Sequence, residues 1–496
     1  MRARTLPLAA VLACWAGPAP AQLIPIRTVP ISQAHQFDFF PSDRMAMGGV
    51  TLAVHDSLYD PFGNPAKGLR LGTSRFFGSP GVYSVTSGAG AGRTLPLGTW
   101  LRSGAWFGGA SVALQEIDLS DNAPRFLPPP CLACERLETI PLPAENRSPG
   151  NTFGYAMLGR TLTGTGLSVG GSVFWSGLHG IDGTDLLYPG SVRLRQRGHA
   201  LDLRAGALQE WRDGRTLSAV LVHNRYAASH EVYYLDTFWD PGGQSFSQRT
   251  RQEDNLDHTN TWGAHVEFSH PLPGPGWRLG WVATTNLMSH PKIPNYEIQS
   301  IPRDPGNSEA FNLGLGISRS TPTHTFALDL IFEPIWSYTW ADAAEPVEGA
   351  AGTIPAGGKT IENRFRFSNA LFRMGFSQEI PLTGTMKSLG LRFGLGLHRI
   401  DYSLVQDDNV QGTTRRLDES WVEWTPTWGL SFRFPSWEIR YRGSVTQGTG
   451  RPGVQSGDII AVAEADRNIL VAPSGPLTLT GVTVMTHQVA FTFPFR

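Results

Sequence analysis

Charge is scarce in this 496-residue chain: charged residues make up 17%, against roughly 25% in an ordinary soluble domain. Lysine is almost missing, with only Lys67, Lys292, Lys359 and Lys387, so nearly all the positive charge is arginine. The 41 basic and 42 acidic residues leave a formal net charge of -1, which excludes the basic excess of a general nucleic-acid binder. No apolar run near 20 residues occurs, and mean hydropathy is -0.17. A bundle of transmembrane helices is therefore excluded. There is no H-E-x-x-H motif and no EF-hand loop, so neither a metal nor another cofactor is expected. What the chain does have is 56 Gly, 37 Pro, 15 Trp, 11 Tyr and 26 Phe. So many aromatic residues exclude general disorder. The length would normally mean two to four domains; one large β-barrel is the main exception.

The first residues read as an address. Arg2 and Arg4 precede an apolar stretch from Leu6 to about Ala16, and Ala19-Pro20-Ala21 supplies a small-x-small site. This predicts a secretory signal peptide over 1–21. The rival reading is a lipoprotein box at Val11-Leu12-Ala13-Cys14. Export excludes cytosolic functions. After cleavage at Ala21 only Cys131 and Cys134 remain. In an oxidising compartment they are expected to close a small loop disulfide. A redox pair or half a metal site is the sharper alternative, but no second cysteine pair exists to complete four thiolates.

From about residue 100 onward, apolar residues recur at every second position. Phe311, Leu313, Leu315 and Ile317 alternate with Asn312, Gly314, Gly316 and Ser318, and Leu391, Phe393, Leu395 and Leu397 alternate with Arg392, Gly394, Gly396 and His398. Period two means strands with one apolar and one polar face. The connections alternate as well. Short ones fall at 163–166, 212–215, 271–276, 320–323, 381–388 and 435–436. Long ones fall at roughly 118–150, 179–196, 226–257, 289–308, 341–361, 405–417 and 446–479. This predicts 14 antiparallel strands, or 16 if a further hairpin at about 69–102 is counted.

Strands of 10–15 residues exceed the soluble average of about 5–6 and are long enough to cross a bilayer when tilted. Aromatic residues cluster near strand ends, as at Trp336, Tyr338 and Trp340, in the manner of an interfacial girdle. The last strand carries Val489, Phe491, Phe493 and Phe495 on one face before Arg496. The expected fold is thus an all-β transmembrane barrel in the bacterial outer membrane, its greasy face on lipid, closed because unpaired backbone groups are not tolerated there. A barrel this wide is not filled by wall side chains alone. The polar face is expected to line a wet or plugged lumen, with Arg204, Glu267, Asp329, Arg366, Arg392 and Arg433 as wall residues, together with Asp202, His265, Arg278, Glu333, Arg364 and His398.

The segment before the barrel differs. It holds Asp43-Arg44-Met45-Ala46-Met47-Gly48-Gly49, then His55-Asp56, then Asn64-Pro65-Ala66-Lys67-Gly68-Leu69. These residues resemble the start of the FadL-type outer-membrane family, which carries hydrophobic compounds, and equally its PorV/PorQ-like relatives. Arg44, Gly48, Gly49, Asp56, Asn64, Pro65 and Ala66 carry the match. Lys67 is inserted before Gly68-Leu69, and His55-Asp56 stands where the family has an acidic pair. The resemblance implies that residues 22–68 form a hatch inside a barrel running from 69 to 496. It also implies passive transport of a fatty-acid-like or aromatic small molecule, captured near external-loop aromatics such as Tyr188, Tyr233, Tyr234, Phe238 and Trp239, which could equally be membrane anchors. The PorV/PorQ-like alternative is service in protein secretion or surface attachment, with a secretion-system protein as partner.

No enzyme is expected. Gly166-Leu167-Ser168-Val169-Gly170 matches G-x-S-x-G, but that motif works at a strand-to-helix elbow and here it lies inside a strand. Gly358-Lys359-Thr360 resembles the end of a phosphate loop, yet a strand follows instead of a helix. A hydrolase assembled from scattered wall residues is the remaining enzymatic alternative.

Overall fold

The computed structural model describes residues 23–24, 36–86, 90–118, 148–182, 184, 191–240, 245–290, 306–343, 345–452 and 479–495. The signal-peptide segment and the Cys131–Cys134 loop lie outside these residues, as does Tyr188. In chain order the strands are β1 (Ser74–Gly78), β2 (Gly81–Val85), β3 (Ala91–Ser103), β4 (Trp106–Asp118), β5 (Gly150–Leu162), β6 (Leu167–Leu178), β7 (Ser191–Glu210), β8 (Thr216–Asp240), β9 (Ser245–Pro271) and β10 (Trp277–His290). They continue with β11 (Gly306–Ser320), β12 (His324–Asp342), β13 (Val347–Gly349), β14 (Gly352–Ile354), β15 (Lys359–Pro381), β16 (Ser388–Asp408), β17 (Thr413–Arg433), β18 (Glu438–Pro452) and β19 (Leu479–Phe495). Apart from β1 with β2 and the small β13–β14 hairpin, each strand pairs antiparallel with its chain neighbours.

The barrel closes where the first strand meets the last. β1 and β2 both pair with β3 and with β19, and the register runs unbroken: Arg75 faces Trp100 and Val82 faces Arg93, while Ser74 faces Phe495 and Gly81 faces Gln488. They are therefore two halves of one wall strand, and the barrel has sixteen. Residues 69–102 supply the extra hairpin. The break falls at Ser79-Pro80, where proline has no N–H to give to the ladder. Its carbonyl still accepts from Val489 N at 3.0 Å.

The two faces follow from what surrounds them. On β12, Phe326, Leu330, Phe332 and Trp336 point outward and are 37–55% exposed, whereas Asp329 and Glu333 point inward and are buried. That apolar stretch of about 10 residues matches the height of a tilted membrane strand. No helix among the described residues is long and apolar enough to cross a membrane.

Three expectations need correction. The long connection expected at 226–257 is mostly strand, because β8 continues to Asp240 and β9 begins at Ser245. Part of the 341–361 connection is the β13–β14 hairpin. Arg364 and Arg366 are not lumen residues. They pair with Tyr338 and Trp336 on the outward face of β12, while Phe367, between the same strands, is buried inside. Beyond the apolar band the outer surface is wet, so the rule "polar means inward" inverts there.

Candidate functional site: the hatch and the lumen above it

Residues 36–70 run inside the barrel, from Gln36 beside Gln115 and Gly180 toward the short-turn end, as a chain with little regular structure: a 3-10 turn at Arg44–Met47, one helical turn at Asp60–Gly63, and a second 3-10 segment at Pro65–Arg70. So short a segment cannot hold its own shape, and buried carboxylates organise it instead. Asp56 accepts from Ser42 Oγ at 3.0 Å and Asp43 N at 2.7 Å with one oxygen, and from Leu58 N at 3.1 Å and Tyr59 N at 3.2 Å with the other. Asp60 lies 2.6 Å from Arg44 Nη2, with both side chains buried, and its other oxygen accepts from Asp56 N at 3.2 Å. Burial alone would raise the Asp60 carboxyl; Arg44 and Lys67 overcome that and hold it below the usual range. Burial and the nearby Asp43 push Asp56 up.

Each family-like residue has a position and a partner. Gly48 has φ 69°, and a Cβ there would stand 2.5 Å from Met374 O and 2.7 Å from Leu395 O. Only a glycine lets the turn sit this close to the wall. Its N–H donates to Thr427 Oγ1 at 2.8 Å. Gly394 of the wall is the matching gap, because a Cβ on it would run into Gly48 N. Gly49 ends the same turn, its N–H donating to Arg44 O at 2.9 Å. Asn64 caps the second 3-10 segment by accepting from Ala66 N at 2.9 Å, and its amide donates to Ser218 Oγ at 2.9 Å and Ala207 O at 3.2 Å. Pro65 occupies the first position of that segment, where a missing N–H costs nothing. Ala66 is fully buried, and its carbonyl accepts from Ser168 Oγ at 3.0 Å. Ser168 also donates to Leu208 O at 3.4 Å and is fully buried in β6. The G-x-S-x-G serine is thus a contact between wall and hatch.

The wall residues answer the hatch from several sides. Arg204 ion-pairs with Asp202 at 2.6 Å and donates to Phe62 O and Gly63 O, both at 3.2 Å. Asp329 accepts from Thr51 N at 2.6 Å and Leu52 N at 3.3 Å. Glu267 takes Lys67 on one oxygen and His265 on the other at 2.8 Å. Arg392 reaches Asp43 at 3.3 Å, Glu379 at 3.2 Å and Ser431 Oγ at 2.9 Å. Arg433 lies at the short-turn rim, 3.4 Å from Glu438. Of the six principal wall candidates, five face inward and Arg366 does not. Sequence reasoning missed Asp60, Arg70, Arg440 and Gln488. Arg70 pairs with Glu210 at 2.8 Å, Arg440 lies 3.5 Å from Asp43, and Gln488 Nε2 donates to Phe39 O at 2.6 Å. No motif marks them; strand phase, once the hatch is known to be inside, would have found Arg440 and Gln488, whereas Asp60 and Arg70 lie in the hatch itself and carry no such signal.

Above the hatch the lumen turns apolar. Ile24 is buried against Ile335, Phe367, Ile400, Tyr402, Leu404 and Trp421. A second aromatic group packs Phe62 of the hatch onto Phe40 (centroids 3.7 Å apart), Trp100 (4.7 Å) and Tyr155 (4.8 Å). On the outer side of the wall, beside the Ser79-Pro80 break, lies an open groove of about 710 Å³ whose apolar lining includes the outward-facing Val82, Leu95 and Leu114.

No family model matches the chain, and no curated protein does. Solved structures of similar form do exist. FadL homologues are among them. The toluene transporter TbuX of Ralstonia pickettii is 13% identical, with 92% of this chain and 98% of that one covered and a TM-score of 0.39. A Pseudomonas aeruginosa FadL homologue is 11% identical over 92% and 100%, with a TM-score of 0.44. The ferric enterobactin receptor of Pseudomonas aeruginosa is 11% identical over 85% and 80%, with a TM-score of 0.35. These are likenesses of barrel form and say nothing about cargo.

Proposed function

We propose that this chain is an outer-membrane barrel that passes hydrophobic small molecules, fatty-acid-like or aromatic, down their gradient. The observation that carries this reading is the vertical order of the lumen: an apolar cluster around Phe367, Tyr402 and Trp421 above a plug held by Arg44–Asp60, Lys67–Glu267 and Arg392–Asp43. Apolar walls with a few placed polar groups are the common form of a small-molecule site. A greasy solute would settle there and leave either by a local shift of the hatch or sideways past the Pro80 break. No step needs an energy source, a metal or a cofactor, and no residue is assigned catalysis.

The test is uptake of a fluorescent fatty acid and of a small aromatic by liposomes holding the full-length protein. Faster entry of either than into empty liposomes is expected, reduced several-fold in Trp421→Asp. Equal rates with and without protein, together with copurification of a secreted protein, would replace this reading with the secretion one. The projecting β8–β9 ribbon offers the surface that the secretion reading needs.

A further inference from the structure

The outward face of β7 changes character within two residues. Leu203 and Leu201 belong to the apolar band, beside Val173 and Trp175 of β6. Next on the same face come His199, Arg197, Arg195 and Arg193. Across the strand pair, Leu201 faces Arg225 of β8. The border is marked by rings, since Trp262 of β9 is 60% exposed and stacks on His223 with centroids 4.1 Å apart. Aromatic side chains of this kind sit at the membrane–water interface, so the arginines begin where the outer headgroups begin.

Four guanidiniums on this face meet only two carboxylates among the described residues, Glu231 and Asp254. Arg195 lies 3.4 Å from Glu231, and Arg193 stacks over Tyr233 with its guanidinium 5.3 Å from the ring centre. Arg197 and Arg225 are exposed, and neither guanidinium has an ion pair among the described residues. Across β15–β17 the outward arginines Arg364, Arg366, Arg399 and Arg416 are interleaved with as many outward carboxylates, Glu362, Asp401, Asp407 and Asp418, although Arg366 and Arg416 form no ion pair among the described residues. Arg364 pairs with Asp407, Arg399 with Asp401 at 2.6 Å, and Arg93 with Asp118 at 3.1 Å. On the β7–β8 face, by contrast, Arg197 and Arg225 stand at the membrane border with no ion pair, and the four arginines have no equal number of carboxylates beside them among the described residues.

We propose that Arg193, Arg195, Arg197 and Arg225 bind the phosphorylated headgroup of an outer-leaflet glycolipid, whose acyl chains lie along Leu201, Leu203 and Leu221. The guanidinium fork matches phosphate oxygens bidentately, and clustered basic residues next to a membrane surface select anionic headgroups. The spacing selects the lipid. Residues two apart on one face of a strand are ~7 Å apart, so Arg193 and Arg197 are separated by ~14 Å along it. A glycerophospholipid offers one layer of phosphate. A lipid A bearing a phosphorylated sugar core offers several, stacked outward from the membrane, as the arginines are. This inference rests on the outer-membrane reading above, but not on what passes through the barrel.

The experiment uses the full-length protein in phosphatidylcholine nanodiscs and measures binding of fluorescent lipopolysaccharide. The comparison lipids are chemically dephosphorylated lipopolysaccharide and phosphatidylglycerol vesicles. Wild type should bind lipopolysaccharide at least tenfold more tightly than either comparison lipid. The triple variant Arg195→Gln/Arg197→Gln/Arg225→Gln should lose at least tenfold, and the matched-rim variant Arg364→Gln/Arg399→Gln less than twofold. Barrel folding is checked by heat-modifiable gel migration. If the triple variant fails to fold, Arg197→Gln and Arg225→Gln are each expected to lose about threefold. Undiminished binding in the β7–β8 variants, equal loss in the matched-rim variant, or no preference for phosphate overturns the proposal. Wild-type protein that enters no bilayer overturns both this proposal and the membrane reading; protein that enters and shows no preference overturns this one alone.

Discussion

Lys67 of the hatch forms a salt bridge with Glu267 of β9, two hundred residues away, and His265 holds the other oxygen of the same carboxylate. Lys67 is the residue by which this chain departs from the Asn-Pro-Ala-Gly-Leu pattern, and the structure gives the added cation an acceptor on the wall. Both side chains are largely buried. Removing one partner of such a pair leaves a charge without compensation. Lys67→Met is expected to weaken hatch seating by about 1–3 kcal/mol, less than for a fully enclosed pair because His265 and water screen Glu267. Trypsin or chymotrypsin cleavage of the hatch in the folded barrel, and open-channel conductance in planar bilayers, should both rise.

The Arg44–Asp60 pair is more enclosed, with side chains 7% and 1% exposed. Arg44→Met should therefore cost more, about 3–5 kcal/mol of hatch stability. The measurement is hydrogen exchange across residues 42–70, which should speed up while the wall strands keep their protection. Unchanged exchange would mean that Asp60 is adequately held by Arg70 at 3.7 Å.

Gly48→Ala tests the close approach. The new methyl meets two wall carbonyls, and the backbone is left-handed. Strain of this kind costs about 1–3 kcal/mol. Hatch protection should fall, whereas Gly63→Ala, with nothing within 4 Å of its Cβ position, should change it by less than about 0.5 kcal/mol.

Acidification should loosen the plug. His55 lies at the exposed edge of the hatch, and its Nδ1 lies 2.9 Å from Arg70 Nη1. Desolvation by the protein packed around it first, and the Arg70 guanidinium second, push its pKa down to about 3, from an ordinary value of 6.5. Between those two values the unfolded segment binds more protons than the folded one, so hatch stability is complete above pH 6.5 and falls as the pH drops toward 3. Conductance measured over pH 7 to 4 should rise, and His55→Asn should flatten that part of the curve.

Ser168→Ala should leave uptake unchanged and cost about 1 kcal/mol for the lost bond to Ala66. Loss of an esterase activity in that variant would restore the hydrolase alternative.

The barrel was legible because lipid enforces period two. Phe311, Leu313 and Leu315 could alternate with polar partners only if one side was greasy and the other was not. The same rule misplaced Arg366 beyond the apolar band, where Phe367 turns in toward Ile24 and the arginine turns out. The hatch was legible at Gly48 and Asn64, where a tight turn and a cap require particular residue types. Its wall receptors were not. Gly394 and Gly280 look like any other strand glycine until Gly48 and Leu52 are seen to sit against them. Nor does anything local mark Gln488 as a partner of Phe39, because that contact spans nearly the whole chain.

That last contact bears on how the molecule is made. The carbonyl of Phe39 accepts from Ser79 Oγ at 2.9 Å, beside the break in the first wall strand, and from Gln488 Nε2 at 2.6 Å on the last. The stopper is therefore bonded to both lips of the seam. Seating it and zipping the seam are coupled: the Phe39 carbonyl has both its donors only when the first and last wall strands have met, so the arrival of the final strand fixes a residue made near the start.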